Sequence, residues 1–127
     1  MRAPLLALAL ILPLPALANC ADPVDQVEMT ECAGQAYQAA DEDLNATYKL
    51  AMAAMKAWDA DLPKDQRGAE EALRKAQRAW LPYRDAVCEN EVFFYKDGSI
   101  APLVGLACLE RLTRQRAEEL RAMAEGE

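Results

Sequence analysis

The stretch from Ala69 to Cys88 constrains this chain more than any other. Its apolar positions, Ala69, Leu73, Ala76, Trp80, Tyr83 and Val87, recur at alternating steps of four and three, the repeat of one helix face. The same stripe carries Gln77 and Arg84 on either side of Trp80. A plain core helix would have aliphatic residues there. Polar groups taken into a core need partners, so a second segment has to supply acceptors, and the helix must belong to a bundle.

The preceding segment fits that role. Tyr37, Leu44, Tyr48, Ala51, Met55, Trp58 and Leu62 follow a step of seven and then fours and threes. Residues 36–60 are rich in Ala, Leu, Met, Lys and Glu, all good helix formers. Pro63 ends this helix, Lys64-Asp65-Gln66 is the turn, and the second helix is expected from about Asp65 to Glu89, with a kink at Pro82. Two long helices joined by a short turn form an antiparallel hairpin. With residue 64 at its centre, position 87 faces Asp41 and position 83 faces Asn45. These two lie four apart on one helix face. Asp41, Asn45, Gln77, Trp80 and Arg84 therefore read as an internal clasp, with Asp41 and Asn45 accepting from Arg84 and Gln77, rather than as an open ligand pocket.

A third helix is expected over residues 102–123, with Leu106, Leu109, Leu112, Leu120 and Met123 inward. Its Arg111, Arg114 and Arg116, interspersed with Glu110, Glu118 and Glu119, read as a solvated face. Glu89–Ala101 reads as a loop ending in the turn signal Lys96-Asp97-Gly98-Ser99. Trp58 and Trp80 read as core residues; Trp58 would stack a glycan only if exposed. The expected fold class is all-α: an antiparallel long-helix hairpin plus a third helix, in a small disulfide-stapled bundle.

The first residues read as a leader rather than structure. Arg2, the apolar run Leu5–Leu12 and the A-x-A site Ala16-Leu17-Ala18 make residues 1–18 a removed secretory signal peptide. The run is too short to span a bilayer. The remaining residues, 19–127, are enough for one domain. Without Arg2 the 14 basic side chains fall by one, against 21 acidic ones. That balance argues against nucleic acid and anionic lipid and suits a basic protein partner. Cys20, Cys32, Cys88 and Cys108 form no C-x-x-C, and the chain has no histidine. No metal site or cofactor is expected. An exported chain of this kind carries two disulfides by default, with three pairings open. Lipid attachment at Cys20 is not expected, because Asn19 stands where lipoprotein processing takes a small residue.

Three groups of residues resemble one family. They are Met29-Thr30-Glu31-Cys32-Ala33 through Tyr37, Ala40-Asp41, Leu44-Asn45 and Tyr48; Leu73 through Ala76-Gln77-Arg78-Ala79-Trp80 and Arg84-Asp85-Ala86-Val87-Cys88-Glu89; and Gly98-Ser99, Pro102, Cys108-Leu109, Leu112-Thr113 and Arg116. Together they resemble the N-terminal domain of the lysozyme inhibitor LprI, formerly a domain of unknown function. The second group is the most specific. Pro82 departs from the pattern, as does the shorter Lys96-Asp97 approach to Gly98-Ser99, where such proteins often have two glycines. The resemblance implies a secreted, all-helical, disulfide-bonded domain that inhibits lysozyme, and it carries over no catalytic residues.

Cys88 ends the second helix and Cys108 lies in the first turns of the third, while Cys20 can fold back to the start of the first helix. Cys88–Cys108 and Cys20–Cys32 are therefore the expected bonds. A lysozyme-type partner is basic, with carboxyl groups in its cleft. The loop offers it Phe93, Phe94 and Tyr95 as apolar anchors, and Lys96 and Ser99 as donors. One or two of the rings are expected to tuck into the core, with Lys96 to Ser99 exposed at the tip. An enzyme is the competing class. Without histidine, Ser–His and Cys–His catalysis are excluded, and carboxylate pairs such as Asp41 with Asp43 or Glu89 with Glu91 arise by chance in so acidic a chain. The reading is thus a periplasmic or secreted inhibitor, not an enzyme. The alternative is a periplasmic adaptor or stress protein that binds another envelope component.

Overall fold

In the computed structural model residues 19–126 are described; the expected leader, residues 1–18, lies outside them. Three α-helices follow in order: α1 (Gln26–Asp61), α2 (Ala69–Phe93) and α3 (Ala101–Glu125). No strand occurs among the described residues. Disulfides join Cys20 to Cys32 and Cys88 to Cys108, as expected.

The helix ends have local causes. Asp25 caps α1: its Oδ1 accepts from the amide of Glu28 at 2.9 Å, and the Glu28 carboxylate reaches back to accept from the amide of Val24 at 2.9 Å. Leu62, extended ahead of Pro63, stops the helix. A single 3-10 turn at Lys64–Gln66 makes the bend. α2 begins at Ala69, four residues later than the spacing suggests, because its cap comes from another helix. Gly68, at φ +153°, has no capping side chain of its own. Instead the Asp59 carboxylate of α1 accepts from the amides of Gly68 and Ala69 at 2.9 Å and of Glu70 at 3.1 Å. From there α2 continues unbroken through Pro82. Gly126 closes α3 in the left-handed conformation and donates back to the carbonyls of Ala122 and Met123.

The Asp59 cap makes the hairpin sensitive to acid. The amide of Gly68, then those of Ala69 and Glu70, hold its carboxyl below the usual carboxylate range. A pKa depressed by folding stabilises the chain above the unfolded value, about pH 4, and that contribution is lost as pH falls through the folded value. Asp59→Ala is expected to lower the melting temperature by several degrees at neutral pH. The gap from wild type is expected to close as pH drops from about 5 towards 2. Thermal melts across that range check this; a constant gap would mean that the carboxylate charge is not what stabilises the turn.

α1 and α2 run antiparallel, and α3 returns parallel to α1. Three contacts along α1 and α3 record that direction. Ser99 donates to Gln26 Oε1 at 3.0 Å, Arg114 to the carbonyl of Ala36 at 3.5 Å, and Arg121 to both Asp43 oxygens at 3.0 Å. The apolar core is Leu44 and Ala51 of α1, Leu73 of α2, and Ala117 and Leu120 of α3, with Tyr48, Met52, Met55, Trp80 and Met123 packed on it. It fills the half of the bundle next to the α1–α2 turn. In the other half both disulfides do much of the cross-linking.

Two expectations about faces are corrected. The buried stripe of α2 is Leu73, Gln77, Arg84 and Cys88, whereas Ala76 and Tyr83 are exposed. α3 covers the Gln77–Arg84 side, so the helix is turned about its axis from the orientation a two-helix hairpin would choose. Trp58 is not a core residue: it is 64% exposed, near the end of α1, on the rim of an open cleft that Met123 and Ala124 of α3 wall without covering the ring.

Candidate functional site

Two places carry the residues singled out by sequence. The first is a polar centre where all three helices meet. Arg84 is buried there, its guanidinium carbon 5.6 Å from the Tyr37 ring centroid and 5.3 Å from that of Trp80. Its Nε and Nη2 lie 2.9 and 2.8 Å from Asp85 Oδ1, and Nη1 donates to the buried hydroxyl of Thr113 at 3.3 Å. Asp41 stands 3.8 Å from Nη1, at ion-pair rather than hydrogen-bond distance. Gln77 turns the other way, its Oε1 accepting from Arg116 Nε at 3.1 Å. Among the described residues no buried side-chain nitrogen or oxygen lacks a partner.

The set Asp41, Asn45, Gln77, Trp80 and Arg84 is thus only partly brought together. Arg84, Trp80 and Asp41 meet. Asn45 is exposed and donates to Asp41 at 3.3 Å without reaching α2. Gln77 takes its partner from α3, not α1. Arg116, expected on a solvated face, is largely covered and bonds both Gln77 and Glu119, the latter at 2.9 Å. Sequence reasoning missed Tyr37, Asp85 and Thr113 as neighbours of Arg84. A signal for Thr113 was present: Thr113, Ala117 and Leu120 stand at steps of four and three, a buried stripe one residue round from Leu112.

The second place is the α2–α3 connection. α2 extends through Phe93, so the expected loop from Glu89 shrinks to residues 94–100. Phe93, Phe94 and Tyr95 are all exposed, Phe94 to 79%, which corrects the expectation that one or two rings complete the core. Phe93 ends α2 and Phe94 and Tyr95 follow it, all beyond the Cys88–Cys108 bond, where the core has already ended. Lys96 lies over the Phe93 ring, its Nζ 4.7 Å from the centroid. Ser99 is not a free donor, because its hydroxyl donates to Gln26 and ties the tip to the start of α1. Val24, Val27 and Ile100 are also exposed at this end, so apolar side chains gather on one tip of the bundle.

A cleft of about 430 Å³ borders the polar centre, lined by Tyr37, Arg84, Asp85 and Val92, and others open elsewhere on the bundle. One, of about 460 Å³, opens beside Trp58 and is walled by Ala54, Met55, Met123 and Ala124. Another, of about 280 Å³, lies between α2 and α3 beside Trp80 and Tyr83. Among the described residues no helix is long and apolar enough to cross a membrane, and no group of three or more His, Cys, Asp or Glu is placed to hold a metal.

The amino-acid sequence has relatives among known proteins. An uncharacterized protein of Rhizobium meliloti (strain 1021) is 44% identical over 136 residues, covering 99% of this chain and 98% of its own length. No solved structure matches the chain. The family described as lysozyme inhibitor LprI matches residues 18–120. That span takes in the polar centre, both disulfides and the exposed connection, and the chain belongs to the LprI lysozyme inhibitor family.

Proposed function

We propose that this chain is an exported, non-enzymatic inhibitor that blocks a lysozyme-type muramidase by protein–protein contact at the α2–α3 tip. The observation that carries the reading is the trio Phe93, Phe94 and Tyr95, held in water where α2 ends and a short connection braced by Cys88–Cys108 begins. Large aromatics exposed together are what interface centres are built from. A braced connection loses less conformational freedom on docking. The formal charge of −7 favours encounter with a basic protein. Export fits the leader-like residues 1–18 and the two disulfides. The Cys20 sulfur is bonded to Cys32, which supports a periplasmic or secreted protein over a lipid-anchored one.

The test is the clearing of a bacterial cell-wall suspension by lysozyme, with and without residues 19–127. The chain is expected to slow clearing. Replacing both Phe93 and Phe94 by Ala is expected to raise the half-inhibitory concentration on the order of 30-fold, the effect of losing an interface anchor. Melting should be unchanged, since both rings already face water. Undiminished inhibition by this folded variant would remove the tip from the mechanism. No inhibition by the wild-type chain would favour an adaptor for another envelope component, and lysis by the chain alone would favour an enzyme.

A further inference from the structure

We propose that the cleft between α2 and α3, walled by Trp80 and Tyr83 on one side and Gln115, Arg116 and Glu119 on the other, binds a single neutral sugar ring. Its volume is about 280 Å³, just below the usual range for drug-sized ligands and suited to one ring rather than a chain. Trp80 and Tyr83 stand three apart on α2, and Gln115, Arg116 and Glu119 face them from α3, with Leu112 adding one apolar side chain there. A pyranose has the matching character. Its C–H face is weakly positive and lies against the negative face of an aromatic ring, and its hydroxyl edge both donates and accepts.

The polar wall is built in advance and close to neutral. Buried Gln77 holds Arg116 Nε at 3.1 Å, and Arg116 Nη1 holds Glu119 at 2.9 Å, so the one carboxylate in the cleft already faces a cation. Gln115 Nε2 donates to the other Glu119 oxygen at 3.3 Å. On a chain of formal charge −7, such a cleft selects neither a cation nor an anion. Several groups remain for a ligand: the Tyr83 hydroxyl, the Trp80 indole N–H, Gln115 Oε1 and Arg116 Nη2 make no hydrogen bond among the described residues. The Trp80 and Arg116 nitrogens are not buried without a partner, and Tyr83 and Gln115 are exposed residues, so water reaches this wall now and a hydroxylated ring can replace it. The larger cleft beside Trp58 has an exposed indole too, but alanines and methionines wall it and leave little to fix a hydroxyl.

This site is separate from the tip. Tyr83 and Phe93 are ten residues apart on one helix, about 15 Å along its axis. The experiment is a titration of residues 19–127, labelled with ¹⁵N, with two probes: an N-acetylglucosamine trimer and maltotriose. Trp58→Phe assigns the Trp80 indole signal. Saturable movement of the Trp80 indole and Arg116 Nε signals with either sugar is expected, and which sugar acts names the ring type. Tyr83→Ala is expected to weaken binding about tenfold, as is Gln115→Ala. Both positions are exposed, so melting should hold. The Phe93 and Phe94 double variant is expected to bind the sugar as wild type does, whatever becomes of inhibition. No saturable movement with either sugar overturns the proposal, as does binding undiminished in folded Tyr83→Ala.

Discussion

Arg84→Ala is expected to cost about 2–4 kcal/mol of stability and to lower the melting temperature by roughly 10–20 °C. The effect does not come from ion pairing as such. Asp85 and Asp41 are 61% and 44% exposed, and pairs with such carboxylates contribute little. It comes from emptying the slot between the Tyr37 and Trp80 rings and from leaving the buried Thr113 hydroxyl without its donor. Arg84→Lys is expected to recover little, because an ammonium lacks the planar fork that reaches Asp85 and Thr113 at once from beside two rings. Hairpin register alone would give Asp41 an equal share. With 3.8 Å between them, Asp41→Ala is expected to cost no more than about 1 kcal/mol. Urea melts of the three variants decide this. A loss at Asp41 equal to that at Arg84 would show that the carboxylate, not the rings and Thr113, holds the guanidinium.

Removing the Cys88–Cys108 bond by Ala at both positions is expected to destabilise the chain by about 3 kcal/mol, the chain-entropy value for a loop closed across 20 residues. Both cysteines are buried, so small voids add to the loss. The functional loss is expected to be larger than the stability loss explains. Below its melting point the variant stays folded, yet the end of α2 at Phe93 and the connection from Phe94 to Ile100 have lost their brace between α2 and α3 and have more freedom to surrender on binding. Inhibition is to be measured at a temperature where melts show the variant fully folded. Equal inhibition by variant and wild type there would mean that the tip needs no bracing.

Much of the architecture was legible in the residue order because it is local. The three helices follow from spacing and from breakers such as Pro63. The disulfide pairing followed from where helices end: Cys88 and Cys108 flank one connection, and Cys20 lies one fold-back from Cys32. The family was legible because the stretch from Leu73 to Glu89 is specific. What failed was what a helix pattern does not contain. Periodicity says that a face exists, but how far each helix is turned about its axis is settled by all its neighbours at once. Hairpin arithmetic gave α2 one neighbour. The bundle gives it two, and α3 takes Gln77 through Arg116 and Arg84 through Thr113. The same limit hid the cap on α2, where the acceptor is Asp59 of another helix, nine residues from Gly68.

The sequence by itself determined the three helices, the stop at Pro63, the cross-links and the family, since each rests on neighbours along the chain or on a contiguous motif. Only the tertiary structure decided that Arg84 lies between Tyr37 and Trp80, that Phe93, Phe94 and Tyr95 stand in water, and that Trp80 and Tyr83 face Gln115 and Arg116 across a cleft. Burial and facing depend on how three helices share one small core. That core closes around Leu44, Ala51, Leu73, Ala117 and Leu120 and leaves the far tip to the disulfides.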